Sequence, residues 1–252
     1  VHDPASRRAK GDWAVRARRF HPALMEDPAL SAREHAAALR SLAQINVVSR
    51  ASAPLAREIR VRCAEKGLSR VAVLDVGTGS GDVACGVARR LASWGITCTL
   101  HLCDRSSLAL ARAEARVRAQ GIDCRAIQSD AFAEGIGMAD QSVDIVMCSL
   151  FVHHARDAEI VPFLRECGRV TRDMLVASDL DRSRLGLIAA TIAGWASASR
   201  IVRFDAPQSV RAALTPLEMA RASEEAGWRD VHVRRCMPFR WVCVSRDWER
   251  RA

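Results

Sequence analysis

Several groups of residues in this sequence have the types and spacing to do chemistry. The first is Gly77-Thr78-Gly79-Ser80-Gly81, which follows directly on Val71-Ala72-Val73-Leu74-Asp75-Val76. Alternating glycines allow a tight turn and let a ligand approach the backbone closely. A helix opening behind them aims its first N–H groups at whatever the loop holds. The second is Asp104, placed roughly two dozen residues further on, where an acid can accept both hydroxyls of a ribose; it could equally cap the helix that begins near Ser106-Ser107. The third is Asp130, with Ala131 and Phe132 behind it, which also reads as a surface turn. The fourth is His153-His154, at the exit of the apolar run Ser142–Leu150. An unshifted imidazole titrates near neutrality and can take a proton from an acceptor hydroxyl. The bland alternative is that one ring packs under a ligand while the other caps the loop.

These groups need elements to hold them. Val71–Val76 is β-branched and apolar throughout, as a buried parallel strand should be. Val83–Ser93 has helical spacing, with Val83, Val87 and Leu91 on one face. Further strands are expected at Thr97–Cys103, Cys124–Gln128, Ser142–Leu150 and Met174–Ser178, with helices at Leu108–Gln120 and at Ile160–Val170, the latter with Pro162 in its first turn. Strands alternating with helices imply a parallel sheet covered on both faces. A hairpin is expected to close the chain, from Asp230–Cys236 and Phe239–Ser245 around Met237-Pro238. Ahead of the sheet, Ser31 and Glu34 form a capping box for a helix carrying Ala38, Leu42 and Ile45. A polar break at Asn46–Pro54 precedes a second helix, which ends at Gly67. Arg184–Arg200 reads as an apolar helix and Phe204–Arg211 as a loop containing Pro207. Thr215-Pro216-Leu217-Glu218 opens the next helix.

The 252 residues suit one α/β domain with an extra segment, and 49% of them are apolar. The formal net charge is +9, almost all of the basic side chains being Arg. An anionic partner such as nucleic acid is one reading of that charge, and solvated Arg-rich helix faces are the other. The basic residues scatter, apart from Arg7, Arg8, Lys10, Arg16, Arg18 and Arg19. Nine Cys with no C-x-x-C spacing look like small core residues in a reducing compartment, neither a disulfide frame nor a metal site. No secretory signal or spanning segment is read, so a cytoplasmic location is expected. The chain has no Tyr, which removes the short-chain dehydrogenases, since these need a Tyr beside a Lys.

The glycine loop discriminates between two cofactor classes. A dinucleotide site wants G-x-G-x-x-G, but the sixth position is Asp82. G-x-G-x-G behind a strand with the internal acid Asp75 resembles motif I of the class I S-adenosylmethionine-dependent methyltransferases. Val143-Asp144-Ile145-Val146 through His153-His154 resembles the region of that family around its fourth strand. The resemblance implies a Rossmann-like α/β fold: a mostly parallel sheet of seven strands with the last antiparallel. Residues 70–252 would form that domain, with a helical cap insertion at 182–216, and residues 1–69 a helical lid. It implies S-adenosyl-L-methionine as cofactor, held by Asp75, Gly77, Thr78, Gly79, Asp104, Arg105, Asp130, Ala131 and Ser149. Asp75 and Gly77 would face its methionine end, Asp104 its ribose and Asp130 its adenine.

The acceptor is narrowed by absences. Ser149-Leu150-Phe151-Val152 is not the Asn/Asp-Pro-Pro-aromatic motif of amino methyltransferases. Cys148 lies inside a strand, without the Pro of cytosine enzymes. No paired-Glu loop follows the fourth strand. Asp179 and Asp181 could hold a metal at the fifth strand, but the fourth offers no partner acid. What remains is a small hydrophobic or phenolic molecule, methylated on oxygen or less readily on carbon; the flanks broadly resemble bacterial enzymes of polyketide or quinone-like metabolism. His153 or His154 is the candidate base. Leu185, Leu187, Ile188, Ile192 and Trp195 are expected to line an acceptor cavity, with Arg203 and Arg211 at its rim. A monomer or homodimer is expected. The rivals are an RNA methyltransferase using the N-terminal Arg cluster and a non-catalytic cofactor-binding protein. The loop and Asp104 together predict binding of S-adenosylmethionine and its demethylated product but not of NAD, measurable by calorimetry. Asp104→Ala should weaken that binding about tenfold or more, since a lost charged hydrogen bond costs roughly 1.5–3 kcal/mol.

Overall fold

A computed structural model describes residues 17–26, 30–197 and 199–249. The basic residues Arg7, Arg8, Lys10 and Arg16 lie outside the described residues. Helices α1 (Ala32–Val48) and α2 (Ser52–Lys66) precede the sheet. Ser31 and Glu34 cap α1 reciprocally, with the Glu34 N–H donating to Ser31 Oγ at 3.3 Å. Gly67 ends α2 in the left-handed region, at φ 64°. Strand β1 (Arg70–Val76) then opens an alternation of α3 (Asp82–Ser93), β2 (Thr97–Asp104), α4 (Ser107–Arg118), β3 (Cys124–Gln128), β4 (Val143–Ser149), α5 (Asp157–Val170) and β5 (Thr171–Leu180). Helices α6 (Arg184–Ala196), α7 (Arg200–Ala212) and α8 (Pro216–Glu225) follow, and β6 (Trp228–Cys236) and β7 (Arg240–Trp248) close the chain.

The seven strands lie in the order β3-β2-β1-β4-β5-β7-β6. β3, β2, β1, β4 and β5 pair in parallel, while β7 runs antiparallel to both β5 and β6. Period-2 alternation gives the sheet two apolar faces. Val73, Leu100, Ile145, Met147, Val176 and Val242 pack on one side against α2, α3 and α4. Leu74, Val146, Cys148, Leu175, Trp241 and Cys243 pack on the other against α5 and α8. All nine cysteines are free thiols, and most are buried in these layers. Among the described residues no helix is long and apolar enough to cross a membrane.

Three local expectations are corrected. Phe204–Arg211 is not a loop: it belongs to α7, which runs through Pro207. An internal proline costs about 3 kcal/mol, but here Ser199 caps the helix and Ile201 and Val202 pack with Ala38 of α1. Tertiary burial outweighs the local penalty. Pro162 sits in the second turn of α5, not the first, because the helix begins at Asp157. The polar break at Asn46–Pro54 shrinks to residues 49–51, since α1 continues to Val48.

The described helices ahead of the sheet, α1 and α2, are not one structural unit. Leu55, Ala56, Ile59 and Cys63 of α2 are part of the main core, whereas α1 contacts α3, α4 and α7 above the sheet's carboxyl edge. Any lid is therefore α1 alone. Ile59 is wholly buried while Ile192 on α6 is 64% exposed. Ile59→Ala should cost roughly 2–5 kcal/mol and Ile192→Ala within about 0.5 kcal/mol, read from urea midpoints.

Candidate functional site

Three glycines carry the loop after β1, for different physical reasons. Gly77 has φ 69°, and a Cβ there would fall 2.0 Å from the Phe151 ring. Phe151 in turn stacks on Phe132 at 4.6 Å, in the core layer beneath the loop. A Cβ on Gly81 would lie 2.9 Å from the Ala113 backbone of α4. So Gly77 and Gly81 are needed for protein packing, while Gly79 alone faces open space, with nothing within 4 Å of a Cβ position. The loop is tied to the end of β2: the N–H groups of Gly77 and Thr78 donate to Cys103 O at 2.9 and 3.1 Å. Gly79 N–H donates to Asp104 Oδ2 at 2.8 Å.

Asp104 also accepts the Ser106 N–H at 2.9 Å through Oδ1. It is not the helix cap; Ser106 is, accepting from Ala109. Each carboxylate oxygen keeps a further accepting lone pair. Burial raises the Asp104 pKa despite its two backbone donors. Asp75 is buried behind the loop, and among the described residues its side chain is bonded by Thr78 Oγ1 alone, at 2.8 Å. Burial pushes its pKa up to about 7, helped by the nearby charges of Asp82 and Asp104. Asp130 stands at the turn after β3, accepting the Phe132 N–H at 3.1 Å, with Arg105 Nη1 3.7 Å from its Oδ2. Ala131 is buried there. Ser149 ends β4 with a buried hydroxyl that has no partner among the described residues.

The two histidines follow in a 3₁₀ turn, Val152–His154. His153 is buried, and its Nδ1 meets Asp179 Oδ1 at 2.7 Å. The His153 N–H donates to Asp179 Oδ2 at 3.0 Å, so the carboxylate grips both ring and backbone. Burial alone would raise the Asp179 pKa, but the His153 charge and hydrogen bonds from His153 and Leu180 outweigh it and hold the pKa low. The His154 ring lies 4.2 Å from that of His153. Reading the sequence missed this role of Asp179. The available signal was an acid ending an otherwise apolar strand, but only the fold shows that this strand lies beside β4.

A narrow cleft opens at the histidines, lined by His21, Ala23, His153, His154, Asp205, Gln208, Ser209 and Ala212. Its wall is α7 and the segment before α1, not α6. Asp205 anchors that segment by accepting the Leu24 and Met25 N–H groups at 2.9 and 3.1 Å. Arg18 straps the histidine turn to α7, donating to Ala155 O and, at 2.6 Å, to Ala212 O. It is thereby committed internally and not a free phosphate ligand.

The expected acceptor residues do not gather there. Leu185, Ile188, Ile192 and Trp195 form an exposed stripe on α6, Trp195 at 72% exposure. Arg203 lies on the side of α7 away from the cleft, and its Nη2 donates to Ser197 O at 3.4 Å. Arg211 is half-buried, off the lining face by helical spacing. The physical reason is that α7 is helical, which turns these residues away from the face holding Asp205, Gln208 and Ala212. A roomier cleft of about 250 Å³ lies elsewhere, between α1 and α4, beside Leu39, Arg40, Ser80, Arg112 and Arg116.

This strand order, with a glycine loop after β1 and an acid after β2, defines a class. Residues 73–174 match a family described as "Methyltransferase domain". The fold is similar to that of an S-adenosylmethionine-dependent methyltransferase from Aquifex aeolicus, at 19% identity and TM-score 0.54, over 74% of this chain and 88% of that one. It is similar to human N-acetylserotonin methyltransferase in complex with S-adenosylmethionine, at 16% identity and TM-score 0.59, over 87% of this chain but only 57% of the human one. Magnesium protoporphyrin IX methyltransferase from Synechocystis PCC 6803, with S-adenosylhomocysteine bound, matches at 15% identity and TM-score 0.50, over 85% of this chain and 84% of that one. No curated protein matches the sequence. The chain carries the fold of these S-adenosylmethionine-dependent methyltransferases. The residues fit that cofactor on their own chemistry. Gly79 leaves an open approach, Asp104 offers lone pairs at the end of β2, where a ribose hydroxyl could be accepted, and buried Asp75 would gain from a neighbouring ammonium.

Asp75 makes stability depend on pH, with a definite sign. Its folded pKa is raised, so in rising pH the unfolded chain ionises first. Its contribution is full below about pH 4 and is lost as pH rises toward about 7. Asp75→Asn should flatten that fall by up to about 1.4 kcal/mol per pH unit within the window. Urea midpoints of both proteins between those pH values would measure it.

Proposed function

We propose that this enzyme methylates an oxygen of a small hydrophobic or phenolic molecule, with His153 as general base. The observation that carries the reading is the His153–Asp179 pair, 2.7 Å apart at the carboxyl ends of β4 and β5. Ligands of open α/β sheets bind at that edge, outside the topological switch point. Asp179 holds the proton of a neutral imidazole on Nδ1, so proton transfer from an acceptor hydroxyl falls to Nε2. Its negative charge then stabilises the imidazolium that forms. His154 lies tilted beside the ring and is the second candidate, as a contact to the acceptor.

The cofactor supplies an activated methyl group on a sulfonium; the protein's share is alignment and removal of water. In this reading Asp104 and Arg105 hold the ribose side, Asp130 and Ala131 the adenine, and Asp75, Gly77, Thr78, Gly79 and Ser149 the methionine end. Helix α1 closes over them. The acceptor enters the cleft between α7 and the histidine turn, where Gln208 and Ser209 stand in place of the expected Trp195, Arg203 and Arg211. Two structural neighbours are named for small-molecule acceptors, which supports that class. An RNA acceptor draws no support from Arg18, which is bonded within the protein.

Incubation with methyl-labelled cofactor and a metabolite extract should place label in a small molecule as an O-methyl group; label in RNA would overturn the reading. His153→Ala should lower kcat roughly 10²–10⁴-fold while leaving S-adenosylhomocysteine affinity within about twofold. Equal losses of both would make His153 a packing residue.

A further inference from the structure

Strands β1, β4, β5 and β7 are consecutive in the sheet. On the face covered by α2 and α3, each carries a polar residue near its carboxyl-edge end: Asp75, Ser149, Ser178 and Arg240. Period-2 alternation puts them on one side, since each lies two residues from a member of the same core layer. Ser149 pairs with Ser178, and Arg240 pairs with Leu180, one step further toward the edge. The row thus leads from the glycine loop outward across the carboxyl edge.

Arg240 is the unusual member. It is 4% exposed, and its Nη1 is buried with no hydrogen-bond partner among the described residues. Nη2 donates to Ser49 Oγ at 2.9 Å and reaches Asn46 Oδ1 at 3.5 Å, at the end of α1. The acids whose charge reaches it are Asp179, on the opposite face of the sheet, and Asp82, but both are engaged elsewhere. Asp179 holds His153, and Asp82 accepts from Asn46 Nδ2 at 3.0 Å and Ser80 Oγ at 2.9 Å. Neither forms an ion pair with Arg240. Buried polar atoms in native proteins are nearly always satisfied, and a buried cation without a paired anion is costly. Burial accordingly pulls the Arg240 pKa down. A guanidinium with an unused N–H pair is shaped for a carboxylate.

We propose that Arg240 is the receptor for a carboxylate on the acceptor, so that the substrate of this enzyme is an organic acid. The proposal rests on the small-molecule reading above and names the charge its acceptor carries. The cofactor's own carboxylate is the other source of this chemistry. Strand order favours the acceptor: the loop and Asp104 belong to β1 and β2, whereas Arg240 stands on β7, two interstrand spacings (about 9–10 Å) beyond β4. Binding exchanges the Ser49 and Asn46 bonds for the carboxylate, so the end of α1 must move to admit it.

Equilibrium binding tests this without knowing which atom is methylated. Benzoate and benzamide, matched in shape and differing in charge, are titrated at constant ionic strength into protein saturated with S-adenosylhomocysteine. Wild type should bind benzoate at least tenfold tighter than benzamide. Arg240→Gln should reduce that preference to under twofold and Arg240→Lys restore part of it, with S-adenosylhomocysteine affinity unchanged within about threefold. No preference in wild type, or no binding of either probe, overturns the proposal. So does a preference that survives Arg240→Gln. A tenfold or greater loss of S-adenosylhomocysteine affinity in Arg240→Gln overturns it too, assigning the residue to the cofactor. If Arg240→Gln does not fold, wild type and Arg240→Lys decide: both must prefer benzoate. Failure of labelled methyl transfer to any small molecule would strike the proposed function and leave these affinities standing.

Discussion

The site depends on how β1 is hydrogen-bonded. Its residues pair with β2 along one edge and with β4 along the other, over the same carboxyl-terminal half. The chain therefore leaves β2 and β4 in opposite directions, and a crevice must open above Val76. The glycine loop fills the floor of that crevice because Cys103 O and Asp104 accept its N–H groups. Everything the chemistry needs is set by distance from this point. Asp104 and Asp130 fall on the β2–β3 side, Ser149 and the histidines on the β4–β5 side. Helix packing holds the arrangement in place: Gly81 lets α4 touch the start of α3, and Gly77 lets Phe151 lie under the loop.

Around that crevice the protein buries charge in three different states of compensation. Asp179 is paired, and the imidazole and two backbone donors keep it ionised in a place where burial alone would not. Asp75 is almost unpaired, with one hydroxyl donor, and burial leaves its pKa near neutrality. Arg240 is half satisfied, by Asn46 and Ser49. Each imbalance has the sign of a ligand group that would relieve it: a cation for Asp75, an anion for Arg240. The pair that is already balanced, His153–Asp179, is the one we propose moves a proton between turnovers. The same bonds couple the site to α1, since Asn46 bridges Arg240 and Asp82. Opening α1 would break contacts to both.

The sequence by itself determined the parts of this protein whose physics is local. A β-branched run followed by alternating glycines can only be a strand and a tight turn, so β1, its loop and α3 were readable. Ser31, Gly67, Thr215 and Pro216 mark helix ends through bonds made within a few residues, and they do so in the structure. Asp104 is placed by its distance along the chain from that loop, Asp130 by following the third strand and the histidine pair by the exit of the fourth, and the fold sets them along one edge. What only the tertiary structure decided is what depends on residues far apart in the chain. Pro207 argued for a loop, but packing of Ile201 and Val202 on α1 made a helix and turned Arg203 outward. Asp179 and His153 are 26 positions apart, and Arg240 and Asn46 are 194 apart. No local pattern encodes those pairings. They follow from β5 lying beside β4 and β7 beside β5, an order fixed by burying both faces of one sheet.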